Sequence, residues 1–118
     1  MAIRNEFGYT SKTIEIGNWN MDTSDAAVFL HGLSATEWKT IRNIDVIIRD
    51  DSDTKYSPLT AMTNYVGPTA GLVDGGITYV ASTSMQIVRT AGGGFDDPAF
   101  STVAGYNRGW VTFEYIPD

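Results

Sequence analysis

The chain has 118 residues, of which 42% are hydrophobic and 19% charged, with a formal net charge of −6 and no cysteine. That length suits one domain with a modest core, and the composition is that of a folded rather than a disordered chain. Disulfides and thiolate metal sites are excluded. The eight Lys and Arg residues are scattered, so the basic cluster that neutralises phosphates is missing and no nucleic-acid partner is expected.

The opening MAIRNEFGYT lacks the apolar run of a signal peptide, and no stretch approaches the ~20 apolar residues of a membrane span. A protein made in the cytoplasm, with no membrane partner, is the expectation. Residues 1–11 show no periodicity and are predicted to form an N-terminal arm, leaving 12–118 as the domain. In SKTIEIGNW, Ile14 and Ile16 alternate with Thr13 and Glu15, which predicts a half-buried strand stopped by Gly17. A polar connection follows, and then AAVFLHGL, a short apolar strand ended by Gly32. SATEWKTIRN places Ser34 three residues before Glu37, the spacing of a capping box, and predicts one helical turn or a tight connection.

IRNIDVIIRD is the strongest strand signal. Ile44, Val46 and Ile48 share one face, and Asp45, Ile47 and Arg49 the other. KYSPLTAM is extended, with Pro58 arguing for a sheet edge. VGPTAGLVDGG reads as loop, ITYVAS and SMQIVRT as two short strands, AGGGFDDPAFSTVAGYNRG as a long loop. WVTFEYI closes the chain as a strand, with Val111, Phe113 and Tyr115 on one face and Trp110, Thr112 and Glu114 on the other. About seven or eight short strands predict an all-β fold, an antiparallel β-sandwich of jelly-roll-like form.

Chemically capable groups are densest in VIIRDDSDTKYSPL, where Asp50, Asp51 and Asp53 follow a β-branched run. A calcium loop would need a glycine to turn on and a distal bidentate Glu, and Lys55 stands where the next ligand belongs. Asp and Ser also suit a turn between strands, because their side chains bond nearby backbone. A solvated turn at a strand edge is therefore expected, with no metal. His31 is the lone histidine. One His without Cys is a poor zinc set, and no serine stands out as its partner in a triad, so local hydrogen bonding in HGL is expected. AGGGFDDP lacks the Lys and Ser/Thr of a phosphate loop. Asp96 and Asp97 are at most half of a glycosidase pair. No cofactor and no catalytic set emerges.

Aromatics make up 12% of the chain. Trp19, Trp38 and Trp110 are noted because an exposed ring marks a contact surface, although packing within the core explains each one singly. Trp19, Asp96, Asp97, Tyr106, Asn107 and Trp110 are the candidate ligand or subunit contacts. A sugar site would bring Tyr106 and Asn107 near Asp96 and Asp97 in an end loop.

Four stretches taken together, IEIGNWNMDT, HGL, IRNIDVIIRDDSDTKYSPL and GYNRGWVTFEYI, resemble small β-sandwich domains of tailed-bacteriophage virion proteins, of the tail-fibre, baseplate, head-decoration or head-fibre type. The likeness spans about Ile14 to Ile116 and carries no catalytic motif. It implies a non-enzymatic structural or attachment role in the virion, other virion proteins as partners, a homo-oligomer with a trimer favoured, and a cell-surface glycan as a ligand for attachment. The overall shape is also similar to that of the H-type lectin domain, which makes a carbohydrate-binding module the alternative function.

Overall fold

The computed structural model describes residues 8–59, 75–101 and 105–118. These form seven strands: β1 Thr10–Glu15, β2 Ala26–Leu30, β3 Arg42–Arg49, β4 Tyr56–Pro58, β5 Gly75–Val80, β6 Ser84–Arg89 and β7 Gly109–Tyr115. Among the described residues the remaining regular elements are two 3-10 turns, Glu37–Thr40 and Pro98–Phe100.

The strands make two antiparallel sheets, one ordered β1-β7-β3-β4 and the other β2-β6-β5. Their facing sides share one core, with Ile48, Val111 and Phe113 from the first sheet and Phe29, Met85 and Ile87 from the second. This is the expected all-β sandwich. Among the described residues it is four strands packed on three.

Period-2 alternation explains which side chains turn inward. On β3, Val46 and Ile48 are buried while Asp45 is exposed, and on β7 Val111 and Phe113 are buried between half-buried neighbours. β7 lies between β1 and β3, so the last strand seals the first into the sheet. Thr13 and Thr112 face each other across that seam, with their hydroxyls 2.9 Å apart, a cross-strand pair that suits a solvated face. Near its start, β3 carries a bulge against β7. Asn43 absorbs it in the left-handed region at φ 53°, and its amide donates to Glu114 at 2.6 Å, a conformation that Asn tolerates better than most residues.

Several expectations are met in detail. Gly17 ends β1 at φ 86°, where a side chain would be strained. Ser34 and Glu37 form the reciprocal capping box: the Ser34 N–H donates to Oε1 of Glu37 at 2.9 Å, and the Glu37 N–H to Oγ of Ser34 at 3.1 Å. The turn that follows is a 3-10 turn. Pro58 lies on the edge strand β4. Two boundaries differ. Thr10 and Ser11, predicted in the arm, begin β1, because β7 supplies hydrogen-bonding partners that a periodicity count does not see. Residues 1–7 lie outside the described residues. So does most of VGPTAGLVDGG, except that Gly75 and Gly76 open β5.

Gly109 is the tightest point of the first sheet. A Cβ placed there would stand 2.2 Å from the Ile47 carbonyl oxygen, and that oxygen belongs to a strand that cannot withdraw. Gly109→Ala is expected to lower stability by about 2–3 kcal/mol or more, the range for overpacking a close-packed interior. Urea denaturation followed by tryptophan fluorescence measures it, and an unchanged midpoint would show that β3 and β7 can separate locally.

Candidate functional site

The three aspartates after β3 are consumed one by one. Asp50, 6% exposed, accepts the backbone N–H of Thr54 at 2.9 Å and of Lys55 at 3.1 Å, together with the hydroxyls of Thr54 and Ser52. Burial alone would raise its pKa. The two amides and two hydroxyls outweigh that and hold the carboxyl below its ordinary value. Asp51 accepts from the backbone N–H of Ser101 at 3.0 Å and from Nη2 of Arg108 at 2.7 Å. Asp53 takes the left-handed region at φ 59°, accepts from the Tyr56 hydroxyl and lies 3.6 Å from Nη1 of Arg49. The expected turn at a strand edge is present. The expected solvation holds for residues 52–56, which are exposed, but not for Asp50, which is buried, and Asp51 is paired with a buried cation. Among the described residues no three His, Cys, Asp or Glu side chains form a group that could hold a metal ion.

Arg108 is the cation at the centre of this end. It is 0% exposed, yet each branch of its guanidinium has a partner: Nε donates to the Trp19 carbonyl at 2.9 Å, Nη1 to the Arg49 carbonyl at 2.6 Å and Nη2 to Asp51. The rings of Tyr106 and Phe100 flank it, with centroids 5.2 and 5.7 Å from the guanidinium carbon. Arg89, also buried, does the same work from β6. Its Nε donates to the Met21 carbonyl at 2.6 Å, and Nη2 lies 3.4 Å from Asp96. Two arginines, one on β6 and one just before β7, thereby hold carbonyls two residues apart in the connection between β1 and β2.

The predicted contact residues separate into different roles. Trp19 is 3% exposed, packs in the core and donates from its indole N–H to the Ser24 carbonyl at 3.0 Å. Its ring is therefore used inside the molecule and is not offered as a ligand platform. Asp96 accepts the Gly92 N–H at 2.8 Å and pairs with Arg89, while Asp97 caps the second 3-10 turn through the Ala99 N–H at 2.9 Å. Tyr106 donates its hydroxyl to the Asp50 carbonyl, and Asn107 accepts the Gly17 N–H at 2.8 Å through Oδ1. The polar groups of the imagined sugar site thus turn to different neighbours, and among the described residues the Asn107 Nδ2 is buried without a hydrogen-bond partner.

Trp110 is half-buried on the outer face of the first sheet, as its alternation predicts. Tyr56 stacks on it with centroids 5.8 Å apart and planes 12° from parallel. Arg49 lies 5.6 Å from the same ring and 4.0 Å from that of Tyr106.

His31 sits at the opposite end of β2, 1% exposed. Its Nδ1 accepts the Leu33 N–H at 3.0 Å, which makes Nε2 the protonated nitrogen that donates to the Ala81 carbonyl at 2.7 Å. The Lys12 ammonium donates to the His31 carbonyl at 2.9 Å. Nearby, Asp118 accepts from the hydroxyls of Ser34 and Thr36, at 2.6 and 2.5 Å. These bonds hold its carboxyl below the ordinary range. The expectation that His31 bonds locally is met by Leu33, and a contact fifty residues away through Ala81 joins it.

No protein-family model, curated protein or solved structure matches this chain.

The two buried arginines and Lys12 escaped the sequence reading. Two of the three carried a signal. SMQIVR puts Arg89 in register with the inward Met85 and Ile87, and KTIEI puts Lys12 in register with Ile14 and Ile16. A cation at a core-facing position implies a carbonyl or carboxylate partner inside. Arg108 carried none, because by alternation it shares the outward parity of Trp110.

Replacing Arg108 by Met leaves Asp51 beside an empty position and two carbonyls without donors. A loss of about 3–5 kcal/mol is expected, the cost of breaking a buried pair from one side. Arg108→Lys is expected to recover only a minor part of it, since one ammonium cannot reach three acceptors in a fork geometry. Chemical denaturation of both variants decides. The depressed pKa of Asp50 fixes a sign for acid. Its contribution is complete above its ordinary value of 3.8 and is lost as pH falls through the lower folded value. The urea midpoint is expected to drop as pH falls below about 4, and Asp50→Asn to narrow that drop while lowering the midpoint at neutral pH.

Proposed function

We propose that this protein is a non-enzymatic structural or attachment component of a bacteriophage particle, acting through protein–protein contacts. The observation that supports the reading best is the outer face of the β2-β6-β5 sheet. Val28 is 57% exposed, Leu30 70% and Tyr79 45%. Between them stand Ser84, Gln86 and Val88, and no charged side chain occupies an outward position on the three strands. The other sheet's outer face carries Glu15, Asp45, Glu114 and Arg49. In a chain of net charge −6, an uncharged apolar face is the surface suited to a protein neighbour. The groups that chemistry would use, His31 and the aspartates of the acidic turn, are already bonded to backbone donors and internal cations. Particle components are usually symmetric oligomers, and a trimer is the state that the resemblance to fibre-type domains implies.

Antibody labelling of purified particles, viewed by electron microscopy, tests the assignment. Labelled heads or tails are the expected result, and particles that stay bare while the protein is found only in the soluble lysate would overturn it.

A second reading, a carbohydrate-binding module, is favoured by one feature. Tyr56 is 52% exposed and stacked on Trp110, with Arg49 and Asp53 alongside. Rings beside charged groups suit the apolar and hydroxyl faces of a sugar. A glycan array with the unmodified protein and with Tyr56→Ala and Trp110→Ala separates the readings. Binding that both variants lose supports the lectin, and silence at high protein concentration removes it.

A further inference from the structure

We propose that β2 is a self-pairing edge, and that two copies of the chain join β2 to β2 antiparallel about a twofold axis at Val28, making one continuous six-stranded sheet. The proposal deepens the contact reading above and rests on it, but it does not depend on a particle.

The direction of the free backbone groups follows from the bonds at the two ends of β2. The Arg89 N–H donates to the Asp25 carbonyl at 2.9 Å, and the His31 N–H to the Thr83 carbonyl at 3.2 Å. In the register Ala26 to Val88 and Leu30 to Ser84, these bonds make the odd-numbered residues of β2 the ones that exchange hydrogen bonds with β6. The N–H and C=O groups of Ala26, Val28 and Leu30 therefore point to the open side, where the Ala26 carbonyl also accepts the Ser24 hydroxyl at 3.0 Å and keeps one lone pair for a partner strand. Among the described residues no strand lies beyond β2 on that side.

Sheet edges are normally guarded by a charge, a proline or a bulge. β1 carries Lys12 and Glu15, β4 carries Pro58, and β5 shifts register between Ile77 and Tyr79. β2, of sequence AAVFL, has none of these. The uncharged strand spares a second copy the like-charge contacts that the rest of this acidic surface would impose. Two chains of charge −6 repel, and they meet with least opposition where each is uncharged. The strand is also complementary to itself. With Val28 opposite Val28 of the second copy, each Ala26 stands opposite a Leu30, small against large. The exposed Val28 and Leu30 side chains of both copies then gather on one face. A strand of five residues buries less than the ~800 Å² per partner of a standard interface, so the dimer is weak. This twofold contact takes the place of the threefold one that the resemblance implies.

The test uses the whole chain in analytical ultracentrifugation over a wide concentration range, with amide hydrogen exchange read by NMR. A concentration-dependent monomer–dimer equilibrium is expected, in which the amides of Val28 and Leu30 gain protection with concentration while those of Ala27 and Phe29 do not. Val28→Lys places two like charges face to face and is expected to weaken the dimer by more than about tenfold. Thr13→Lys, on the other sheet's outer face, is expected to leave it unchanged. Both positions are exposed, and circular dichroism confirms that the variants fold. A monomer at every concentration would overturn the proposal, as would a dimer that survives Val28→Lys, a trimer, or protection that does not vary with concentration. A dimer found together with unlabelled particles would sink the particle assignment and leave β2 self-pairing standing.

Discussion

The buried guanidinium of Arg108 is the constraint that organises one end of the molecule. A cation taken wholly out of water is tolerable only when its donors are met. Here the carbonyls of Trp19 and Arg49 and the carboxylate of Asp51 meet them. Those partners belong to the β1–β2 connection, the end of β3 and the acidic turn. The backbone of Arg108 continues the same junction, donating to Gly17 and accepting from Arg49. Removing the side chain would therefore free three segments together. Planarity matters as much as charge, because the fork holds its acceptors at fixed angles.

The opposite end is tied by smaller bonds. His31 links β2 to the β5–β6 turn through the Ala81 carbonyl, and Lys12 links β1 to the same corner. The capping box at Ser34 and Glu37 shapes the turn before β3, and Asp118 docks onto it. The charges at this end, Lys12, Glu37 and Asp118, are each met by a backbone group or a hydroxyl. The two ends thus use the same polar residue types in different ways. One neutralises a cation, and the other satisfies backbone donors left open by a turn.

Between these ends the two outer faces are unlike. The β1-β7-β3-β4 face is charged and carries a Tyr56–Trp110 stack, as a solvated sheet surface can. The β2-β6-β5 face is uncharged and, among the described residues, ends in an edge without a guard. An antiparallel sheet needs only one apolar side to join a sandwich. Exposed Val28, Leu30 and Tyr79 beside the uncharged Thr78, Ser84 and Gln86 are surplus to folding, and they make the outer side of the smaller sheet a surface suited to contact.

Most of the strands were legible because alternation is local. Ile14 and Ile16, Val46 and Ile48, Val111 and Phe113 each announce an inward face within a few residues, and the Ser34–Glu37 spacing announces its own turn. Arg89 was legible in principle, since it keeps step with Met85 and Ile87. Arg108 was not, because alternation assigns it the outward side, and the acceptors that bury it come from positions 19, 49 and 51. Trp19 packs in the core, as the sequence favours for each tryptophan taken singly, and only the identity of its neighbours was hidden for the same reason. The sequence alone determined two apolar layers, their turns and the lack of thiol and basic-cluster chemistry, since these depend on residue type and short spacing. Only tertiary structure decided which polar groups are spent inside and which edge is left open. Those outcomes depend on long-range pairing, which brings residues distant along the chain within hydrogen-bond reach.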